Sequence, residues 1–419
     1  MKILVLPAYY YPEQAASPYL GDNIREAMCN AGFILDLYAP MPTRGVSEEI
    51  RVEYKERKIE YKYDNKLVIH RFPMYSEGKN PINRALRYGI CWCVQFGKGL
   101  CAKDIDLIYL ASTPPIQGAL GCLLKKIKRV PFVYNLQDIF PDSLAGTGLV
   151  RKDGLIWRIG RVVENFTYKH ADKIIVISEG FKRNIMAKGV PEEKIVVVYN
   201  WVDQNAVKNV ARKDNKLFDK YHLDRNKFYI TYSGNIGLTQ NMDLLLDVAR
   251  SLEDNEEIQF VLIGEGAYKE QVKEVITRNN IKNVTLLPFQ PYEDISHVFS
   301  LGDVGIIISK PGVGENSVPS KTWSIMSASR PVLANFDENE IKTILSENEC
   351  GVFTKAGDKQ AFTDAILELC RNREMCRKYG ENGRKFVMEN LTREIGTQKY
   401  IDVIKLSLIH ISEPTRRRG

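Results

Sequence analysis

At 419 residues, 44% hydrophobic and 26% charged, the chain is long enough for two domains that each bury a core, and its composition is that of a soluble globular protein. No window approaches the roughly eighteen uninterrupted apolar residues of a membrane span. The eight cysteines form no C-x-x-C pair and have no histidines at zinc spacing, so neither a disulfide framework nor a metal site is signalled. The formal charge of +7 is mild: it suits an anionic substrate or membrane surface and gives no nucleic-acid signature.

Met1-Lys-Ile-Leu-Val-Leu-Pro7 is too short for a signal peptide and reads as the first strand, which with the unpatterned cysteines implies a cytoplasmic protein. Further strands are expected at Phe33–Tyr38, Leu67–Phe72, Leu107–Ala111, Phe132–Leu136, Lys173–Ile177 and Ile195–Val198. Helices fall between most of them, as at Tyr19–Ala31 and Ile116–Lys128. Residues 1–205 therefore read as one Rossmann-like domain and the polar stretch 206–226 as a linker with a short helix. The alternation restarts at Phe228–Ser233, Gln259–Ile263, Val284–Leu287, Val304–Ile308, Val332–Ala334 and Gly351–Phe353, giving a second such domain over 227–385. The segment Met375–Leu406 is long and helical, with 386–406 expected to return to the first domain. Residues 407–419 do not continue that pattern and read as a non-native tail, without which the charge is about +5.

Parallel α/β sheets bind ligands at the carboxyl ends of their strands, so the loops there hold the candidate site residues. The first loop carries the small residues Ala15, Ala16 and Ser17, which permit close approach to backbone, or it packs on itself. The turn Ala111–Pro115 reads as structural. The third loop, Gln137-Asp-Ile-Phe-Pro-Asp-Ser143, places Asp138 where a carboxylate can orient a hydroxyl or offset positive charge, while Asp142-Ser143 can cap the next helix. In the second half, Ser233-Gly-Asn-Ile-Gly237, Gly264-Glu-Gly266 and Leu287-Pro-Phe-Gln-Pro291 each follow a strand. Most informative is Ser317-Val-Pro-Ser-Lys321, where Pro319 and Ser320 suit a helix start and Lys321 adds a point charge. Free N–H groups and a cation there would suit a phosphate, against the plainer reading of a strand–loop–helix junction.

These segments, with Ala171-Asp-Lys-Ile-Ile-Val-Ile-Ser-Glu179, Val190–Asp203, Arg330-Pro-Val-Leu-Ala334 and Tyr379–Phe386, resemble glycosyltransferase family 4. The likeness is to its branch that builds bacterial surface polysaccharides, and it covers the chain from Met1 to about Leu406. It implies the α/β GT-B fold: two Rossmann-like doubly wound domains, an interdomain cleft and a C-terminal crossover helix. It also implies retaining, metal-independent transfer with no cofactor, from a nucleotide sugar, by family habit UDP-linked. The acceptor implied is a saccharide on a polyprenyl diphosphate, with peripheral contact at the inner face of the cell membrane.

On the resemblance, Asp138 and Lys321 are the catalytic candidates. Gly234, Asn235, Gly237, Gly264, Leu287, Pro288, Glu315, Asn316, Ser317, Ser320 and Ser324 are expected around the donor, and Ala15, Ala16 and Ser17 at the acceptor. Two departures stand out. Positions where relatives carry paired glutamates appear here as Asn316 and Ser324, with Glu315 one residue away. A basic pair found in other relatives is replaced by Asn235 and Gln240 or Asn241. A weakened nucleotide-sugar-binding partner subunit is therefore an alternative; a GT-B sugar epimerase is a lesser one, because none of the five histidines lies in the candidate loops. The stretch Arg84–Lys98 mixes basic residues with Tyr88, Trp92 and Phe96, as a membrane-surface helix or a buried amphipathic one would.

Overall fold

The computed structural model describes residues 1–13, 18–78, 80–143, 151–315 and 318–412. Ala15, Ala16, Ser17, Asn316 and Ser317 lie outside the described residues. The chain divides into two compact units, Met1–Tyr199 with Gly396–Gly419, and Asn200–Ile395.

Among the described residues the first unit has eight strands: β1 (Lys2–Val5), β2 (Ile34–Pro40), β3 (Ile59–Lys62), β4 (Leu67–Phe72), β5 (Leu107–Ala111), β6 (Phe132–Leu136), β7 (Lys173–Val176) and β8 (Ile195–Val197). Their order is β3-β4-β2-β1-β5-β6-β7-β8. All pair parallel except β3, which runs antiparallel to β4 at the edge. The buried strands are short, nearly continuous apolar runs, because helices cover both faces of a parallel sheet. That is why the sequence places them. It does not place β3, whose Ile59 and Tyr61 are exposed and leave no buried run to recognise.

The second unit holds β9 (Phe228–Ser233), β10 (Ile258–Ile263), β11 (Val284–Leu287), β12 (Val304–Ile308), β13 (Val332–Phe336) and β14 (Gly351–Lys355), all parallel, in the order β11-β10-β9-β12-β13-β14. In each sheet the strand order reverses beside the first strand. β1 lies between β2 and β5, and β9 lies between β10 and β12. Such reversals leave a crevice outside the carboxyl ends of the two diverging strands.

Three boundaries differ from the sequence reading. The stretch 206–226 contains the expected short helix, Leu217–Lys220, but it packs onto the second unit. Leu217 and Phe218 are fully buried, and the Lys208 and Val210 amides donate to the Ser296 and Ser300 hydroxyls. The C-terminal helical stretch breaks into Arg373–Asn390 and Arg393–Ser412, where the Thr392 hydroxyl accepts from the Ile395 amide as a cap does. Residues 407–412 continue that last helix instead of breaking from it, and the Ser407 hydroxyl bonds back to the Val403 carbonyl. Within the first unit this helix buries Tyr400, whose hydroxyl donates to Asn135 Oδ1 at 3.1 Å.

Candidate active site

The two glycine loops of the second unit press backbone on backbone. A Cβ on Gly264 (φ +155°) would lie 1.9 Å from the Gly234 carbonyl oxygen, which only glycine allows. Gly234 itself (φ +138°) stands so close to the ammonium of Lys321 that a Cβ there would be 2.9 Å from Nζ. The glycines on these adjacent strand ends thus have local causes: Gly264 clears room for the Gly234 backbone, and Gly234 stands against the Lys321 head group.

Lys321 opens the helix Lys321–Ser327. Its Nζ donates to the Tyr232 hydroxyl at 2.7 Å and lies 4.0 Å from the centre of that ring. The Tyr232 hydroxyl in turn donates to the Asn235 carbonyl at 2.6 Å. Among the described residues no carboxylate pairs with Lys321, and burial alone pushes its pKa down to about 7. It lines a cavity of about 230 Å³ at the β9/β12 reversal, with Thr239, Gln240, Ser309, Gly314 and Phe336. Among the described residues the Ser309 hydroxyl, on a residue only 4% exposed, has no hydrogen-bond partner. Asp337 holds the cavity's loop by accepting from the Gly312 and Gly314 amides at 2.9 and 2.6 Å. A half-desolvated cation and an orphaned hydroxyl in one cavity are suited to an anion with hydroxyl neighbours.

Several expectations change in detail. Ser320 has helical dihedrals (φ −57°, ψ −24°) and its hydroxyl makes no cap bond, whereas a capping serine sits in the extended region. The Thr322 and Trp323 amides already donate to the Pro319 and Ser320 carbonyls. The anion-attracting character of this corner therefore rests on Lys321 rather than on a row of free N–H groups. The Leu287 side chain packs into the core with Phe218 and Tyr229, so of the stretch Leu287–Phe289 expected near the donor it is Pro288 and Phe289 that are exposed. Asn235 and Glu315 are exposed, Gly237 is buried with its amide bonded to Gln240 Oε1, and Ser324 is half-buried. Asn241 caps the helix Met242–Ser251, so it has a structural task.

In the first unit Asp138 follows β6 on a loop clamped from several sides. The Gln137 amide donates to the Ser112 hydroxyl and its side chain donates to Asn135 Oδ1, beside Tyr400. The Ser143 hydroxyl donates to Asp138 Oδ2 at 3.1 Å. Although the Asp138 side chain is exposed, Tyr134, Leu136 and Phe140 wall its base. That desolvation raises its pKa above the usual carboxylate range, against the lowering effect of Ser143. The Asp142 carboxylate accepts from Arg161 at 2.5 Å and from Lys188 at 2.8 Å, and Lys188 also reaches the buried Glu164 at 2.9 Å. Glu164 accepts further from the Tyr168 hydroxyl and is paired with Arg161.

Sequence reasoning missed Tyr232, Ser309, Asp337, Arg161, Glu164, Lys188 and Tyr400. Tyr232 and Ser309 sit in apolar runs that announce only burial, and the rest act across the fold at 19 or more residues' separation.

Comparison with known proteins agrees with these two units. Residues 24–201 match the glycosyl transferase 4-like domain and residues 213–386 match the glycosyl transferases group 1 family. A probable glycosyltransferase, WbjE of Pseudomonas aeruginosa, is 24% identical over 305 residues, 73% of this chain and 75% of that protein. The putative colanic acid biosynthesis glycosyl transferase WcaI of Escherichia coli is 24% identical over 286 residues, covering 68% and 70%. Among solved structures, Anabaena Alr3699/HepE in complex with UDP and glucose superposes with a TM-score of 0.69 at 17% identity, covering 97% of this chain and 99% of that one.

Proposed function

Because this chain belongs to glycosyltransferase family 4 and has the GT-B fold, we propose that it moves a sugar from a UDP-linked donor onto a lipid-linked saccharide in bacterial surface polysaccharide biosynthesis. The observation that carries the donor half is Lys321, a desolvated ammonium at the β9/β12 reversal without a carboxylate partner among the described residues. An anion arriving there supplies the missing countercharge. A relative solved with UDP and glucose and another named for colanic acid synthesis support the same reading.

In the proposed reaction Lys321 holds the donor diphosphate and offsets the charge that builds on it as the glycosidic bond breaks, with no metal required. The Ser309 hydroxyl bonds the donor from the cavity wall. Gly234 and Gly264 let the diphosphate approach backbone, and Ser320 and Ser324 offer hydroxyls along the same helix. Asp138, with its raised pKa, orients hydroxyls or supports the oxocarbenium-like sugar. The leaving phosphate accepts the acceptor's proton on the same face, which retains the anomeric configuration. The acceptor half rests on the family branch and on the basic, apolar-faced helix Pro81–Cys101 of the first unit.

A thermal-shift panel of nucleotide sugars tests the donor. A ligand at about 100 times its Kd stabilises by roughly 2.7 kcal/mol, so the correct base and sugar stand out together. No shift with any nucleotide sugar contradicts the proposal. A shift without acceptor-dependent UDP release identifies a binding subunit instead.

A further inference from the structure

A diphosphate brings more than one negative charge, and the second unit offers few cations to meet it. Three loops border the β9/β12 reversal, those that follow β9, β10 and β12. The first, Gly234 to Asn241, contains no Lys or Arg. After β10 comes Lys269, whose ammonium is already paired with Glu265 at 2.5 Å. After β12 come Lys310 and Lys321. Burial pushes the Lys321 pKa down to about 7, so near neutral pH the free protein carries that charge only part of the time.

The backbone of Lys310 is fixed at the rim of the Lys321 cavity. Its amide donates to the Thr239 carbonyl at 2.9 Å, and its carbonyl accepts from the Val313 amide at 3.3 Å. Thr239, Val313 and the preceding residue, Ser309, all line the cavity. From there the side chain runs along the β9 loop. Its ammonium lies 5.5 Å from the centre of the Tyr268 ring, and the Tyr268 amide donates to the Ile236 carbonyl at 2.9 Å. Among the described residues that ammonium has neither an ion pair nor a hydrogen bond. Asp243, beside the same ring, is engaged by the Tyr268 hydroxyl at 2.8 Å.

Two features direct this lysine toward a ligand. A ring face attracts a cation but holds no countercharge, so a phosphate oxygen can displace it, and a four-carbon stem lets the head group turn. The adjoining Ser309 hydroxyl is buried in the cavity wall and, among the described residues, has no partner. We propose that Lys310 is the second cation of the donor site, gripping the diphosphate from the β12 loop while Lys321 holds it at the Gly234 turn. This deepens the proposed donor chemistry and rests on it. The plainer role for Lys310 is to brace the β9 loop against Tyr268, which needs the stem and the ring but no anion.

Calorimetric titration with UDP, which holds the diphosphate whatever the sugar, and with uridine, which holds none, separates the two roles. Lys310→Met keeps an apolar stem on Tyr268 and removes the charge. It should raise Kd for UDP about tenfold, the loss of one charge-assisted contact, and leave Kd for uridine unchanged. Its UDP affinity should also depend less on salt, and its ligand-free melting temperature should match the wild type. Lys310→Arg should bind UDP within about threefold of the wild type, because it keeps the charge. Unchanged UDP affinity in Lys310→Met overturns the second cation. Equal weakening of UDP and uridine, with a lowered melting temperature, shows a brace and overturns it as well. Wild-type protein that binds no UDP contradicts the donor reading, and the second cation falls with it. Wild-type binding that is indifferent to Lys310→Met leaves the donor reading standing.

Discussion

The Lys321 corner of the second unit and the Asp138 loop of the first both hold a charged side chain beyond a strand end, by opposite means. At Lys321 the neighbours are backbone, two glycines and one tyrosine, and among the described residues the charge itself is left without an opposite partner. At Asp138 the loop is tied down by charge, with Asp142, Arg161, Glu164 and Lys188 joined from three separate elements. One arrangement reserves an electrostatic demand for a ligand. The other satisfies its demand internally and leaves Asp138 facing solvent.

If that contrast is right, the two sites should fail differently. Lys321→Ala should lower kcat/KM for the donor roughly a hundredfold, as loss of a group stabilising developing charge does, with the fold unchanged by circular dichroism. An unaltered rate would remove the diphosphate role. Asp138→Ala should lower transfer about tenfold or more with donor affinity preserved, measured as UDP release beside equilibrium donor binding. Normal transfer in that variant would place the reaction centre elsewhere. Lys188→Met strips a cation shared by Asp142 and Glu164. The pair is incompletely buried, so a melting experiment should show a loss of about 2 kcal/mol, below the value for a fully buried pair. Turnover should fall only a few-fold. A larger effect on donor affinity than on stability would break the distinction between the two regions.

The sequence makes the Lys321 side more legible than its counterpart. Glycines, a lysine after a proline and apolar strands are local signals, and each has a local steric cause in the structure. Even so, Ser320 reads as a cap from composition but has the wrong dihedrals, and the burial of Leu287 depends on Tyr229 and Phe218, 58 and 69 residues away in the chain. The support behind Asp138 gives no such signal. Lys188 reaches Asp142 across 46 residues and Tyr400 reaches Asn135 across 265, and nothing in the spacing of those residues marks them as neighbours. The helix Pro81–Cys101 is legible as amphipathic, but which of its faces turns outward depends on where Trp92 and Arg87 find partners.

The central claim is that Lys321, unpaired among the described residues, awaits a diphosphate, and proton linkage tests it most directly. With burial holding its pKa near 7, the free protein loses this charge above neutral pH, and a bound anion favours its return. Calorimetric titration with UDP-glucose from pH 6 to 9 should therefore show Kd rising by up to about tenfold per unit above pH 7, with proton uptake on binding. Lys321→Arg, always charged, should flatten that limb. A wild-type Kd independent of pH, or one unchanged by Lys321→Ala, would contradict the assignment.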